Sequence, residues 1–321
     1  MRNKSLRLVP LAVLLLTLCS TRSFSQSITS GNGKYEIGVG IGPTFFLGDL
    51  GGNAGTGKGF VKDVNFPLTR LSFGLHANYY PTEFLGFRFA LNKATLEGND
   101  AETPNKGGAE VDRLQRNLSF RTSVIEAYAA AEFYPTVFFE QYDGLQGKFR
   151  PYGVAGIGLM KFNPKAKDID GSWVALQPLH LEGQGMAEYP ESKPYKLMQM
   201  EVPMGIGFKY YLKENMYVGM EVLHRVLFTD HVDDVSADHY IDESLFAQYL
   251  PAAQAAQAQR LYYRGTYSST GTAINVQNLQ RGDPTDNDAF FSTVLRFGWR
   301  LNDRNDPGIR ARRQLRCPVF Y

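Results

Sequence analysis

The chain has 321 residues, 43% of them hydrophobic, with 34 basic and 32 acidic side chains. That balance gives no overall basic excess of the kind nucleic-acid binding uses, and two cysteines are too few for a disulfide framework. Beyond residue 25 there is no apolar run of about 18 residues, which excludes a helical membrane protein.

The first segment, "MRNKSLRLVPLAVLLLTLCSTRSFSQ", sets Arg2, Lys4 and Arg7 before an apolar run from Leu8 to Leu18 and a small-x-small site at Ser23 and Ser25. This is the layout of a secretory signal peptide, with cleavage expected after Ser25. The run is too short to span a bilayer, which takes about 20 residues. A lipoprotein site at Cys19 is disfavoured because Leu18, not a small residue, precedes it. Removing Arg2, Lys4, Arg7 and Arg22 leaves 30 basic against 32 acidic groups, a net charge of −2. Cys317 then stands alone, so no internal disulfide can form. An odd cysteine in an oxidising compartment leaves intermolecular pairing, a free thiol or an incidental one.

Period-two alternation follows. "YEIGVGIGPTF" puts Tyr35, Ile37, Val39 and Ile41 opposite Gly38, Gly40 and Gly42; "LSFGLHANYY" puts Leu71, Phe73, Leu75, Ala77 and Tyr79 opposite Ser72, Gly74, His76 and Asn78. "LGFRFALN" opposes Phe87 and Phe89 to Arg88, and the segment from Leu118 to Tyr134 turns Glu126 and Glu132 away from Ile125, Ala127, Ala129, Ala131 and Phe133. "PYGVAGIGLMKF" has no clear phase. "MQMEVPMGIGFKYYL", "MYVGMEVLHRVLF" and "FFSTVLRFGWRL" oppose apolar residues to Glu201, Lys209, Glu221, Arg225, Ser292, Arg296 and Arg300. Such alternation predicts β-strands.

A soluble sandwich and a transmembrane barrel both use this pattern. Connector lengths favour the barrel: long gaps (48–69, 97–117, 162–195, 230–288) alternate with shorter ones (81–84, 135–148, 213–215), as in outer-membrane barrels with long external loops and short periplasmic turns. Tyr79, Tyr80, Phe133, Tyr134, Tyr210, Tyr211 and Trp299, beside the short turns, are expected to form an interfacial girdle. The fold expected is all-β: an eight-stranded antiparallel transmembrane β-barrel with long extracellular loops, a short helix in the last loop and both termini in the periplasm. Its parts are a signal peptide over 1–25, a barrel over 26–301 and a basic tail over 302–321.

Eight strands enclose a lumen that side chains fill. Parity places Arg88, Glu126, Glu132, Glu201, Lys209, Glu221, Arg225, Arg296 and Arg300 on that inner face, where charges of both signs can pair as an internal network.

Other motifs carry less. "GGNAGTGKGF" keeps phosphate-loop spacing at Gly52, Gly57 and Lys58, but Gly59 stands where a Ser or Thr should hold magnesium and no helical pattern follows. "FTDHVDDVSADHYID" gathers five aspartates and two histidines without calcium-loop spacing. A solvated outer loop is expected there, and no metal or other cofactor. "RGD" at 281–283 is a three-residue match with little weight. His76 and His224 are the strand histidines; the first faces inward and the second outward, with no Ser/His/Asp set around them, so no enzyme is expected. "DESLFAQYLPAAQAAQAQRLYY" is rich in helix formers, with Pro251 marking a break.

Six stretches — "YEIGVGIGPTFFLGDLGG", "RNLSFRTSVIEAYAAAEFYP", "RPYGVAGIGLMKFNPKA", "LQPLHLEGQGMAEYP", "FTDHVDDVSADHYID" and "RGDPTDNDAFF" — resemble in order and spacing the DUF6089 group of Bacteroidota outer-membrane barrels. The resemblance runs from about Tyr35 to the C-terminus. It implies a non-enzymatic component of the type IX secretion system that fixes the periplasmic ring, a PorK- or GldK-type lipoprotein with its PorN- or GldN-type partner, to the outer membrane. It also implies an intermolecular disulfide to the lipoprotein, with Cys317 in "RCPVF" at the matching position. The residues suit that role: Arg310, Arg312, Arg313 and Arg316 can pair with a partner's acids or with lipid phosphates, and Phe320 adds an apolar anchor. The competing reading is a surface barrel whose long loops bind a ligand, glycan or protein outside.

Overall fold

The computed structural model describes residues 35–50, 66–107, 110–139, 145–265 and 276–301. The signal segment, the glycine-rich stretch at 52–59, and the tail with Arg310, Arg312, Arg313, Arg316, Cys317 and Phe320 lie outside the described residues.

Eight strands form a closed antiparallel cylinder: β1 (Tyr35–Leu47), β2 (Arg70–Tyr79), β3 (Leu85–Asn99), β4 (Ser119–Phe133), β5 (Phe149–Lys161), β8 (Met198–Lys213), β9 (Met216–Leu227) and β10 (Ala289–Leu301). β1 pairs with β2 on one side and β10 on the other, and β3 pairs with β4, so no barrel edge is left open. Closure pairs each strand with a neighbour on both sides, the condition for strands in lipid. A short hairpin, β6 (Lys165–Lys167) with β7 (Trp173–Ala175), extends the sheet beyond β4 through the pair Arg121 and Lys165.

The register joins Tyr35 to both Leu301 and Tyr79, which places the start of β1, the end of β10 and the short turns at one end. The long connections gather at the other. There α1 (Glu110–Arg116) follows β3, and α2 (Phe246–Tyr249) and α3 (Ala252–Tyr262) precede β10. The helix expected before β10 is present and is broken at Leu250 and Pro251, since proline has no N–H to continue the first helix. The hairpin and α1 carry no sequence periodicity strong enough to announce them.

Burial alternates along the strands as the parity requires. Leu75, Phe89, Leu91, Ile157, Ile206 and Leu295 are each more than 60% exposed and form a belt around the cylinder. A continuous apolar belt of this kind is a lipid-facing surface. β5 resolves cleanly: Tyr152, Val154 and Met160 point inward while Ile157 and Leu159 point outward.

The expected girdle is half right. Tyr79, Phe133, Tyr210 and Trp299 face outward, but Tyr80, Tyr134 and Tyr211 are buried inside. Adjacent residues of a strand point to opposite faces, so only one member of each aromatic pair can reach lipid.

Candidate functional site

The lumen is occupied by charge. Among the described residues, six acids (Glu36, Glu83, Glu126, Glu132, Glu201, Glu221) and six bases (Arg88, Arg150, Lys209, Arg225, Arg296, Arg300) are buried within it. All nine residues assigned inward by parity are among them. Pairing between acids and bases tempers the cost of removing so many charges from water.

Nearest the short turns, Glu83 accepts from Arg150 at 2.8 Å and Arg300 at 3.4 Å. Above them the Lys209 ammonium bonds Glu36 at 2.6 Å and the Tyr80 hydroxyl at 2.7 Å, and lies 3.4 Å from Glu132. The rings of Tyr80, Tyr134, Tyr152 and Tyr217 surround that ammonium at 4.6–5.6 Å, a cation–π cage. Arg88 donates through Nε to Glu132 at 2.6 Å and through a terminal nitrogen to Glu221 at 2.9 Å. Glu221 also accepts from Tyr152 at 2.6 Å and Arg296 at 2.8 Å.

Nearer the loops, Arg225 grips Glu126 at 2.5 Å, with Asn92 donating to the same carboxylate at 2.5 Å. Glu201 is buried beside this pair. Small residues make room for large ones here. A Cβ on Gly298 would lie 2.6 Å from the Tyr217 hydroxyl, and one on Gly38 would lie 2.5 Å from the His76 ring. His76 Nε2 is 2.8 Å from that same Tyr217 hydroxyl, which makes it a hydrogen-bonding member of the plug.

Periodicity missed part of this set. Glu36 shares the parity of Gly38 and Gly40, whose lack of side chains hides the polar face. Tyr152 sits in the segment whose glycines blur its phase, Arg150 lies just before that segment, and Glu83 lies in a turn. The cavity left in the lumen, lined by His76, Asn92, Tyr128, Glu221, Arg225 and Arg296, measures about 20 Å³. That is room for one water, so the barrel is a filled cylinder and not a pore.

Above the lumen the long connections fold into a cap with its own core, in which Leu50, Phe120, Phe162, Val232, Phe246 and Tyr262 pack together. The segment 228–242, expected to be solvated, is part of that cap: Asp233 and Asp234 are buried. Asp233 accepts from the Leu50 amide at 3.1 Å and Asp288 from the Val232 amide at 2.7 Å, contacts made across 183 and 56 residues of chain. Such distant backbone partners give the aspartates a structural task that local sequence does not reveal.

Arg281 of the "RGD" triplet is 1% exposed, bonded to Glu182 at 2.9 Å, and therefore cannot be offered to an adhesion receptor. Glu182 also accepts from the amides of Ser236 and Ala237. Arg116 and Asp100 form a second buried pair at 2.8 Å. Burial raises Asp230 to about 8, with the Asp49 carboxylate adding to the effect. It raises Asp234 to about 7, where Glu182 contributes. Among the described residues no three His, Cys, Asp or Glu side chains converge to hold a metal ion.

A closed eight-stranded cylinder with an apolar exterior, an interior of paired charges and a folded cap defines the class: a small transmembrane β-barrel of the outer-membrane type. No family model and no curated protein matches the chain. Solved structures similar to it include the outer membrane protein OprG from Pseudomonas aeruginosa (10% identity, TM-score 0.37, covering 85% of this chain and 99% of that one). Neisserial surface protein A (9%, 0.36, 83% and 97%) and a major outer membrane protein from Thermus thermophilus (11%, 0.37, 83% and 99%) are comparable. At these scores it is the strand closure itself, and not the likeness, that defines the class.

Proposed function

We propose that this chain is a non-enzymatic, PorG-like outer-membrane component of the type IX secretion system, anchoring the periplasmic ring to the membrane. The partner is the ring lipoprotein of PorK or GldK type with its PorN- or GldN-type companion. Attachment is through the tail, with Cys317 as the covalent link and Arg310, Arg312, Arg313, Arg316 and Phe320 as the docking contacts. The reading rests first on the resemblance of the six sequence stretches to the DUF6089 group.

One structural observation supports it most: the lumen is filled by paired charges, so the cylinder suits fixation better than transport. The end of β10 at Leu301 lies with the short turns, the end that faces the periplasm in outer-membrane barrels, which supports attachment from that side.

The test is a pull-down from membranes without reductant, compared with Cys317→Ser and with a chain lacking 302–321. The proposal expects a covalent lipoprotein adduct that disappears in Cys317→Ser, and loss of secretion with an intact barrel on truncation. An identical band pattern in the substituted chain would remove the disulfide. The folded cap favours a second reading, a surface barrel that binds a ligand, glycan or protein by its loops; it predicts a phenotype from cap deletions alone.

A further inference from the structure

The outer surface carries an uneven distribution of charge at the loop end of the apolar belt. Lys93 on β3, Arg121 on β4, Lys161 on β5, and Lys165 and Lys167 on β6 all point outward and are exposed. Their register brings them together. Lys93 and Lys161 both flank Ile125, one on each neighbouring strand, about 10 Å apart at the usual strand spacing of about 4.8 Å. Further along β4, Arg121 lies directly opposite Lys165.

Two like charges face to face in an antiparallel pair are unfavourable. The nearest carboxylates are bonded to other cations. Glu97, in register with Arg121, is bonded to Arg70 at 2.5 Å, and Asp168 beside the hairpin is held by Arg260 at 2.5 Å. Among the described residues none of the five cations forms an ion pair. The Trp173 ring lies 5.7 Å from the Arg121 guanidinium and 5.5 Å from the Lys167 ammonium, gathering both at one place.

Height along the barrel sets what can meet this patch. From Phe133, at the short-turn end, to Ile125 the outward residues of β4 are apolar. Eight residues at about 3.4 Å each run about 27 Å along the strand, or about 20 Å of height at a tilt of about 40°. Lys93 and Lys161 therefore sit near the far edge of an apolar band about 25 Å tall, from where their long stems carry the ammonium groups to the headgroups. Around the cylinder the row through Lys93 continues as Phe73, Ile41 and Leu295, all apolar. Among the described residues of that row the cations lie on one side, so they mark a site and not a general girdle.

We propose that Lys93, Arg121, Lys161, Lys165 and Lys167 bind the phosphorylated headgroup of a membrane lipid in the leaflet at the loop end, with its acyl chains laid against Ile125, Ile157 and Leu159. The fixed fork of Arg121 takes one phosphate bidentately. Lys93 and Lys161 straddle the headgroup, and the lysines of β6 cover it from the loop side. The site depends on the membrane reading alone and is independent of the ring-anchor role.

Barrels reconstituted into phosphatidylcholine nanodiscs, titrated with diphosphorylated lipid A or with its dephosphorylated form, test this by native mass spectrometry. The wild type retains the phosphorylated lipid. Replacing the five cations by glutamine lowers retention at least about tenfold, the scale expected when several surface cations are removed. The dephosphorylated lipid is held no better by the wild type than the phosphorylated one is by the variant. A control with Lys213→Gln, at the short-turn end of β8, keeps full retention.

Folding of each variant is read from its heat-modifiable gel mobility. Should the five-fold variant not fold, Arg121→Gln with Lys165→Gln makes the same test while removing an unfavourable pair. Equal retention by wild type and variant, retention indifferent to the phosphates, or an equal loss in the control would each overturn the proposal.

Discussion

Lys209 on β8 bonds Glu36 on β1 at 2.6 Å, across a lumen in which two other strands separate them along the sheet. The bond ties opposite sides of the cylinder together, and its energetic weight is largest when one partner is removed.

Lys209→Met leaves Glu36 and Glu132 buried without their ammonium. Breaking a buried pair in this way costs about 3–5 kcal/mol. A lower urea midpoint for the detergent-folded barrel is expected, with part of the loss recovered in the Lys209→Met/Glu36→Gln double variant, which removes both charges. Unchanged midpoints would show that the pair is not buried.

The filled lumen predicts electrical silence. In planar bilayers the wild type should show no steady conductance above the empty membrane, because the residual lumen cavity of about 20 Å³ admits one water and no continuous file. Sustained, ion-selective current would contradict the packing of Arg88, Glu132 and Glu221.

The cap should respond to pH. Asp230 and Asp234 titrate in the folded cap near 8 and 7, raised mainly by burial, and Asp49 near 6, against about 3.9 for an unfolded aspartate. Between about pH 4 and 8 the unfolded segment binds fewer protons than the folded one, so stability falls as pH rises and levels off above about 8. Hydrogen exchange of 228–242 should be slower at pH 5 than at pH 8 after correction for intrinsic rates, with β1 and β10 as internal references. Asp234→Asn, which keeps an acceptor for the Tyr195 hydroxyl now 2.6 Å away, should flatten the dependence.

Arg281→Met leaves Glu182 buried without its guanidinium, an effect of about 3–5 kcal/mol on the cap. Limited proteolysis should cut the loops sooner while the strands stay intact. Cell adhesion should not change, since the wild-type Arg281 is already hidden.

The strands were legible because the belt and the plug impose a period of two, and that period alone placed Arg88, Lys209 and Arg296 inside. It faltered where glycine replaces the inward side chain, as around Glu36 and Arg150. It failed for Asp233 and Asp288, whose burial comes from amides far away in the chain. The convergence of the outward cations is set by the pairing of β4 with β3, β5 and β6, which no single stretch of sequence displays.

The orientation of the barrel is the most direct test of the account. Treat intact cells and osmotically shocked cells with a membrane-impermeant maleimide after mild reduction, and follow Cys317. Labelling only after the periplasm is opened is the predicted result; labelling of Cys317 on intact cells would place the tail outside and contradict the anchor.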